Sequence, residues 1–507
     1  MNTNKIWNLI SGIFFALQAA AEAWFTVYVL RLNMLPDRYT IILYAVMAVP
    51  LLLTAGLLFL RGKKPVSLVR RIIGLLLAAV VICGCLVGIK MVGQAYDMLH
   101  KVTTQPPEMD ENSMYVFVRT EDPATKLEDT AKYSYAIVAE FEEEATAQAM
   151  LLIEETVGGK VAQTVYDDVA QMTNALLNGE ADAILANDAV LIVLSEEEGY
   201  EDLFDKIRIL HSFPMSQLEE TEPTTEPPTE PLAEITQEPF IVYLSGSDGR
   251  SKKLKKGRND VNILAVVNPK TKQVLLINTP RDYYVENVAG KGKLDKLTNC
   301  GIYGVDNSMK VLGRLYDLKV NYYARINFTG VETLVDAIGG ITVNSTEEFK
   351  CGESREFLIV KGENHLDGKA ALGFARERKR VSGGDNGRGK NQMRVITAII
   401  NKATSGTTII SNYTEILASL DGVFKTSVPM EDISALVKMQ LDDMATWNIK
   451  SFAVTGTGGS EKTYSSPGHR SYVMHPHKYM VNHAKKLAQM VIDGQVLTAE
   501  DMKAPKK

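Results

Sequence analysis

The chain has 507 residues, 46% hydrophobic and 23% charged, so it is too long for one ordinary domain and too apolar for wholesale disorder. Its four cysteines exclude a disulfide-scaffold protein. The net charge of -6 alone argues against a polyanionic ligand, but that average hides blocks of opposite sign. Residues 1–96 hold nine basic and two acidic side chains (net +7), and residues 97–239 hold seven and 32 (net -25). Residues 240–402 hold 28 and 17 (net +11), and residues 403–507 hold 11 and 10 (net +1).

Three apolar runs open the chain: Ile6–Leu30, Thr40–Leu60 and Ile72–Ile89. Each is near the roughly 20 residues that a helix needs to cross a hydrocarbon core. A cleaved signal peptide would be a single short run. Residues 1–96 are therefore expected to form a three-helix transmembrane region. The connection Arg61–Arg71 carries Arg61, Lys63, Lys64, Arg70 and Arg71 and no acid. The positive-inside rule puts it in the cytoplasm. The expected topology is three-pass, with a cytoplasmic N-terminus and everything after about Gln94 outside. Glu22 is expected to face the bundle, and Cys83 and Cys85 to be packing residues of the third helix.

Residues 112–213 alternate between strand-like and helical patterns. Met114–Val118, Tyr135–Ala139, Lys160–Val165 and Ala181–Leu185 read as strands, and Glu142–Glu155 and Asp168–Leu177 as helices. This is the pattern of a small parallel-sheet α/β unit. Ala175–Ala186 resembles the helix–turn–strand step of extracellular solute-binding proteins. There is room for only one lobe, so a structural role or the docking of an envelope protein partner is expected. Residues 217–239 hold seven Glu, five Pro, five Thr and no basic residue, which makes an extended linker.

The basic block begins with the strand Phe240–Leu244, which runs into a Gly-containing loop with Asp248 and Arg250. The basic run Lys252–Lys256 follows, either attracting an anionic surface or simply solvated. Asn259-Asp260 then leads into the strand Val261–Val267. The strand Gln273–Asn278 ends in Thr279-Pro-Arg-Asp282. Strand ends thus deliver Asp248, Asp260 and Arg281 to loops. Whether these loops share a sheet edge depends on strand order, which spacing does not fix. Asn321–Phe328 reads as a strand, and Thr329–Ile338 as a helix closed by Gly339-Gly340. The helix Asp367–Phe374 runs into Arg376 and Arg378, which an extended backbone would point to one face. Arg388 and Gln392 share a face of a helix running to about Lys402. Arginine forks suit phosphate. Mg²⁺ favours one or two carboxylates with phosphate oxygens and water. Asp248 and Asp260 match that role, although the two could instead simply pair with the arginines.

The runs Asp260–Asp282, Asn327–Val343, His365–Arg378 and Gly387–Gln392, in that order and spacing, closely resemble the LytR-CpsA-Psr (LCP) family of Gram-positive cell-envelope proteins. The likeness covers about residues 240–402, and the tail to about Gln489 is similar to longer members. It implies an α/β/α catalytic domain over 240–490 with a lipid-tail tunnel, leaving 491–507 as a tail. The implied activity is Mg²⁺-assisted transfer of an anionic glycopolymer from a polyprenyl-pyrophosphate carrier to peptidoglycan. By resemblance, Asp248 and Asp260 are the metal-associated carboxylates. Arg281, Arg376, Arg378, Arg388 and Gln392 line the pyrophosphate site. Arg258 and Asp385 match positions near the head group, and Arg250 and Lys296 are further contacts.

The proton acceptor stays open among Asp248, Asp260 and Asp385, because His365 reads as part of a turn. Competing functions are a polyprenyl-pyrophosphate hydrolase and a non-catalytic envelope sensor or assembly protein. No DNA-binding motif is present, and no nucleic-acid partner is expected. Cys300 and Cys351 are either disulfide-bonded or free. Gly456–Tyr464 lacks the glycine that a P-loop places before its Lys, so it reads as a flexible turn. His469, His475 and His477 read as loop histidines.

Overall fold

The computed structural model describes residues 3–60, 67–103, 113–139, 141–214, 234–247, 254, 257–405 and 412–505. Helices α1 (Thr3–Arg31), α2 (Asp37–Phe59) and α3 (Leu68–Thr103) open the chain. Among the described residues these three are long and apolar enough to cross a membrane, by length and composition. Leu17, Trp24, Leu52 and Val80 point outward, as side chains in an apolar solvent do. Glu22 is buried inside the bundle, where Gln18 donates to its Oε1 at 2.8 Å. Arg61, Lys63 and Lys64 of the basic connection lie outside the described residues.

The acidic middle unit folds as strands β1 (Ser113–Arg119), β2 (Ser134–Val138), β3 (Ala162–Tyr166), β4 (Ala183–Asn187) and β5 (Ile207–Pro214). Helices α4 (Glu143–Val157), α5 (Val169–Leu177) and α6 (Asp188–Leu194) complete it. Asp168 caps α5 by accepting from the Ala170 amide at 2.6 Å. The strand order is β3-β2-β4-β1-β5. β2 runs parallel to β3 and β4, but β1 is antiparallel to β4 and β5. The sheet is therefore mixed, not parallel as expected. Apolar periodicity reports burial and not strand direction. Most of the linker, residues 217–233, lies outside the described residues, as does the Lys252–Lys256 run apart from Leu254.

The next sheet contains β6 (Phe240–Ser247), β7 (Val261–Asn268), β8 (Gln273–Asn278), β9 (Tyr322–Asn327), β10 (Phe424–Thr426) and β11 (Asn448–Ala453), in the order β10-β9-β6-β7-β8-β11. Side chains alternate between its two faces. Tyr243, Leu264, Val266, Leu275 and Ile277 pack with α7 (Val305–Tyr316) and a C-terminal helix, Lys478–Ile492. Ile263, Ala265, Val274 and Leu276 turn the other way, towards Met393. On that side lie α8 (Phe328–Ala337), α9 (Gly368–Arg376) and α10 (Asp385–Thr404), which share their own core around Val335, Phe374 and Val395. The result is three layers, α/β/α. Residues 491–505, set apart as a tail by sequence, also pack here: Val491 and Leu497 are buried in the first core.

Cys300 and Cys351 are free and buried in different cores, so the disulfide option is not realised. Gly456–Thr463 is a strand, β12, paired with β13 (Ser466–Pro476), and not a turn. His469 and His475 lie on β13. His365 lies on a strand, Gly362–Leu366, paired with Thr342.

Phe374 is fully buried and stacks on Phe349 with ring centroids 5.6 Å apart. Phe374→Ala is expected to cost about 3–5 kcal/mol of stability, seen as a lower midpoint in chemical unfolding. An unchanged midpoint would contradict this packing.

Candidate anion-binding site

Strand direction settles what spacing left open. β6 and β7 are antiparallel, and so are β7 and β8, while β6 and β9 are parallel. The end of β6, the start of β7 and the ends of β8 and β9 therefore meet at one edge. That edge receives Asp260 before β7, Arg281 after β8 and Phe328 after β9. Asp248 and Arg250, which follow β6, lie outside the described residues.

Arg281 donates from Nη1 to Asp260 Oδ1 at 2.6 Å. Its Nε lies 3.8 Å from Asp282, too far for a hydrogen bond, and is buried without an acceptor among the described residues. A buried charged donor without a partner is costly, so this N–H is fit for a ligand oxygen. Arg388 comes from the first turn of α10. Gly389 lets that turn lie against the end of β8: a Cβ there would fall 2.3 Å from the Asn278 side chain. Arg388 Nη2 is 2.7 Å from Asp385 Oδ1, one helical turn back. Arg376 ends α9, with its guanidinium 4.5 Å from the Phe328 ring centroid. The backbone then extends at Glu377, and Arg378 reaches the same space.

These groups converge. Asp260, Arg281, Arg376, Arg378, Arg388 and Gln392 all line one cavity of about 770 Å³, together with the apolar Phe328 and Leu372 and, on its outer wall, Glu332, Glu353, Glu356, Glu377, Lys369 and Lys379. Asp385 stands behind Arg388. Lys296 and Arg258 do not line the cavity. Lys296 is lowered in pKa by burial, against the pull of Asp282, with Arg258 and Arg281 repelling its charge. Arg258 donates from Nε to Asn299 at 3.1 Å and forms an ion pair with Glu196.

Burial lowers the Arg388 pKa and Arg281 repels its charge, although Asp385 opposes both. Burial pulls Arg281 down too, but Asp260 outweighs it and the pKa is raised. Crowded, partly desolvated guanidiniums stay charged and favour an anion between them. For a cation, Asp260 offers a hard carboxylate oxygen at the cavity wall. Asp385 Oδ1 is buried and, among the described residues, makes no aligned hydrogen bond despite its close arginine. Among the described residues, no group of three or more His, Cys, Asp or Glu side chains is placed to hold a metal.

Sequence reasoning missed Asp282 and Phe328. Asp282 follows Arg281 directly, and that adjacency was the available signal. By pattern Phe328 reads as the last residue of a strand, which hides its contact with the Arg376 guanidinium.

An α/β/α domain with an arginine-lined cavity at one sheet edge, joined to apolar helices of membrane-spanning length, defines the class. Within that class, the LytR_cpsA_psr family model matches residues 212–487, over half the chain, and the protein belongs to this family. Over 225 residues it is 36% identical to the polyisoprenyl-teichoic acid–peptidoglycan teichoic acid transferase TagU of Enterococcus faecalis, covering 44% of this chain and 72% of that protein. The like-named TagU of Bacillus mycoides is 34% identical over 202 residues, covering 40% and 64%. The crystal structure of B. subtilis TagV is 24% identical, with a TM-score of 0.43, covering 51% of this chain and 98% of that one.

The Asp282 carboxyl has a raised pKa, chiefly from burial, with Arg281 and Lys296 pulling it back. A raised carboxyl pKa means that the folded state binds the proton better than the unfolded state does. Stability is then lost as pH rises from the ordinary Asp value through the raised one. Asp282→Asn should therefore raise the unfolding midpoint at pH 7 relative to the unaltered protein. The gain should vanish as pH falls to the ordinary Asp range. A gain that is independent of pH would contradict this assignment.

Proposed function

We propose that the protein transfers an anionic glycopolymer from a polyprenyl-pyrophosphate carrier to peptidoglycan, outside the membrane. The observation that carries this reading is the convergence of four arginines and Gln392 on one cavity, with Arg281 Nε buried and lacking an acceptor among the described residues. The names of the teichoic acid transferases quoted above agree with it. Three apolar helices would anchor the chain, with the N-terminus in the cytoplasm. The basic Arg61–Arg71 connection is what assigns that side, and Met430, Ile433 and Val437 pack onto Leu32, Met34, Ala95 and Leu99 at the opposite end of the helices. This packing puts the sheet domain on the side of the α1–α2 connection and the end of α3.

The diphosphate would lie among Arg281, Arg376, Arg378 and Arg388, with Gln392 donating a further hydrogen bond. An acceptor hydroxyl on peptidoglycan attacks the phosphorus on the glycan side. A new P–O bond forms, the bond to the bridging oxygen breaks, and polyprenyl monophosphate leaves with the electron pair. The glycan keeps one phosphate as a phosphodiester. The hydroxyl proton passes to a carboxylate, for which Asp248, Asp260 and Asp385 are the candidates. The arginines neutralise charge that grows on the leaving phosphate. Asp260, together with Asp248, would hold Mg²⁺, which when bound adds further charge neutralisation at the phosphate oxygens.

The test uses the full chain in detergent micelles with a polyprenyl-pyrophosphate glycan, peptidoglycan and Mg²⁺. Glycan linkage is expected, and Arg281→Ala and Arg388→Ala should each lower its rate about 100-fold or more. Phosphate release without linkage would favour the hydrolase. Tight lipid binding with neither product would favour a passive envelope role.

A further inference from the structure

We propose that Arg38, at the outer end of the membrane helices, is a positioning residue. Together with the apolar cluster beside it, it holds the sheet domain against the anchor, so that the cavity meets a donor embedded in the bilayer. The inference deepens the proposed function and rests on it.

A polyprenyl chain is apolar and stays in the bilayer, so its diphosphate is presented at the membrane face. The acidic, proline-rich 217–239 segment joins the sheet domain to the preceding unit, and a tether of that kind alone would fix no height for the cavity. The fold adds a second, direct attachment. Leu32 and Met34 follow the apolar run that ends at Leu30, and they form one buried cluster with Ala95 and Leu99 of α3. Met430, Ile433 and Val437, which share a face of the helix Met430–Asp443, pack against that cluster.

Polar contacts set the direction of approach. The Arg38 guanidinium donates to the Leu441 and Asp442 carbonyls in the last turn of that helix, where the backbone dipole favours a cation. Asp37, one residue earlier, lies 3.3 Å from Lys438. Lys101, near the end of α3, pairs with Asp421. Exposed ion pairs add little stability each. The apolar cluster therefore supplies the adhesion, and the charges select one orientation.

The same contact leads into the cavity wall. Asp421 stands just before β10, and the Val423 carbonyl accepts from the Asn327 amide at 3.3 Å. A Cβ on Gly330 would fall 3.0 Å from the Val423 side chain. Thr333 donates from Oγ1 to the Ser419 carbonyl at 3.1 Å. Asn327 caps α8, and Gly330 and Thr333 lie in it, beside the Phe328, Thr329 and Glu332 that line the cavity. The segment that α3 holds is thus the one on which this wall of the cavity rests.

The test uses the full chain in liposomes and two donors of the same glycan diphosphate. One has a long polyprenyl chain embedded in the same bilayer, and the other has a short chain and is dissolved in the water. Val437→Glu puts a charge into the apolar contact, and Arg38→Glu puts one against the carbonyls at the helix end. Each should raise KM for the embedded donor about tenfold or more, and leave kcat and the KM of the dissolved donor within about twofold. Arg38→Lys keeps a cation at the helix end and should hold KM close to that of the unaltered protein. Equal effects on both donors overturn the inference, because they report damage to the cavity itself. So does an unchanged KM for the embedded donor in either Glu variant. Amide hydrogen exchange of residues 430–443 reads the contact without activity. It should quicken in both Glu variants, and unchanged exchange contradicts the docking. If the unaltered protein uses neither donor, the proposed transfer fails and the positioning role with it, while hydrogen exchange still reports the contact; failure of the docking alone gives the opposite pattern.

Discussion

The site depends on β7 running antiparallel to both of its neighbours. This arrangement turns two strand ends and one strand start to a single edge. Asp260 and Arg281 are 21 residues apart in sequence, yet they close an ion pair at 2.6 Å because of it. Parallel pairing of β6 with β9 adds Phe328 to that edge, and Phe328 in turn seats Arg376. The remaining arginines come from helices that pack on the same face of the sheet. Their approach is set by small side chains such as Gly389, and not by any direct contact between arginines.

Electrostatics gives this geometry its purpose. Four guanidiniums around one cavity repel one another, and burial makes that repulsion expensive. Asp260 and Asp385 each relieve one arginine, but neither neutralises the cluster. Glu332, Glu353, Glu356 and Glu377 line the same cavity with Lys369 and Lys379, so the basic character is concentrated where Arg281 and Arg388 meet at the sheet edge. The acidic middle unit docks on the same domain, where its Glu196 pairs with Arg258 outside the cavity. The chain's net charge of -6 therefore combines a basic block, residues 240–402, with an acidic neighbour packed against it.

Much of this was legible in the sequence. The apolar runs gave the three long helices, because length and hydropathy are local properties. Of the residues that the motifs point to, Asp260, Arg281, Arg376, Arg378, Arg388 and Gln392 line the cavity, whereas Arg258 and Lys296 do not. Strand direction was not legible, so the middle sheet was expected parallel and is mixed. The docking of that unit was not legible either. It rests on Ile302, Tyr303 and Tyr464, which belong to a distant part of the chain and carry no pattern that points outward. Cys300 and Cys351 could not be sorted by spacing, because only the fold assigns them to separate cores.

The central claim is that the cavity directs a phosphoryl transfer in which the glycan keeps one phosphate. The most direct measurement supplies the full chain with a donor labelled at both phosphates and counts the label in each product by mass spectrometry. The account expects one labelled phosphate in the linkage to peptidoglycan and one on the released polyprenyl monophosphate. Free labelled phosphate or pyrophosphate, with no label on peptidoglycan, would contradict it.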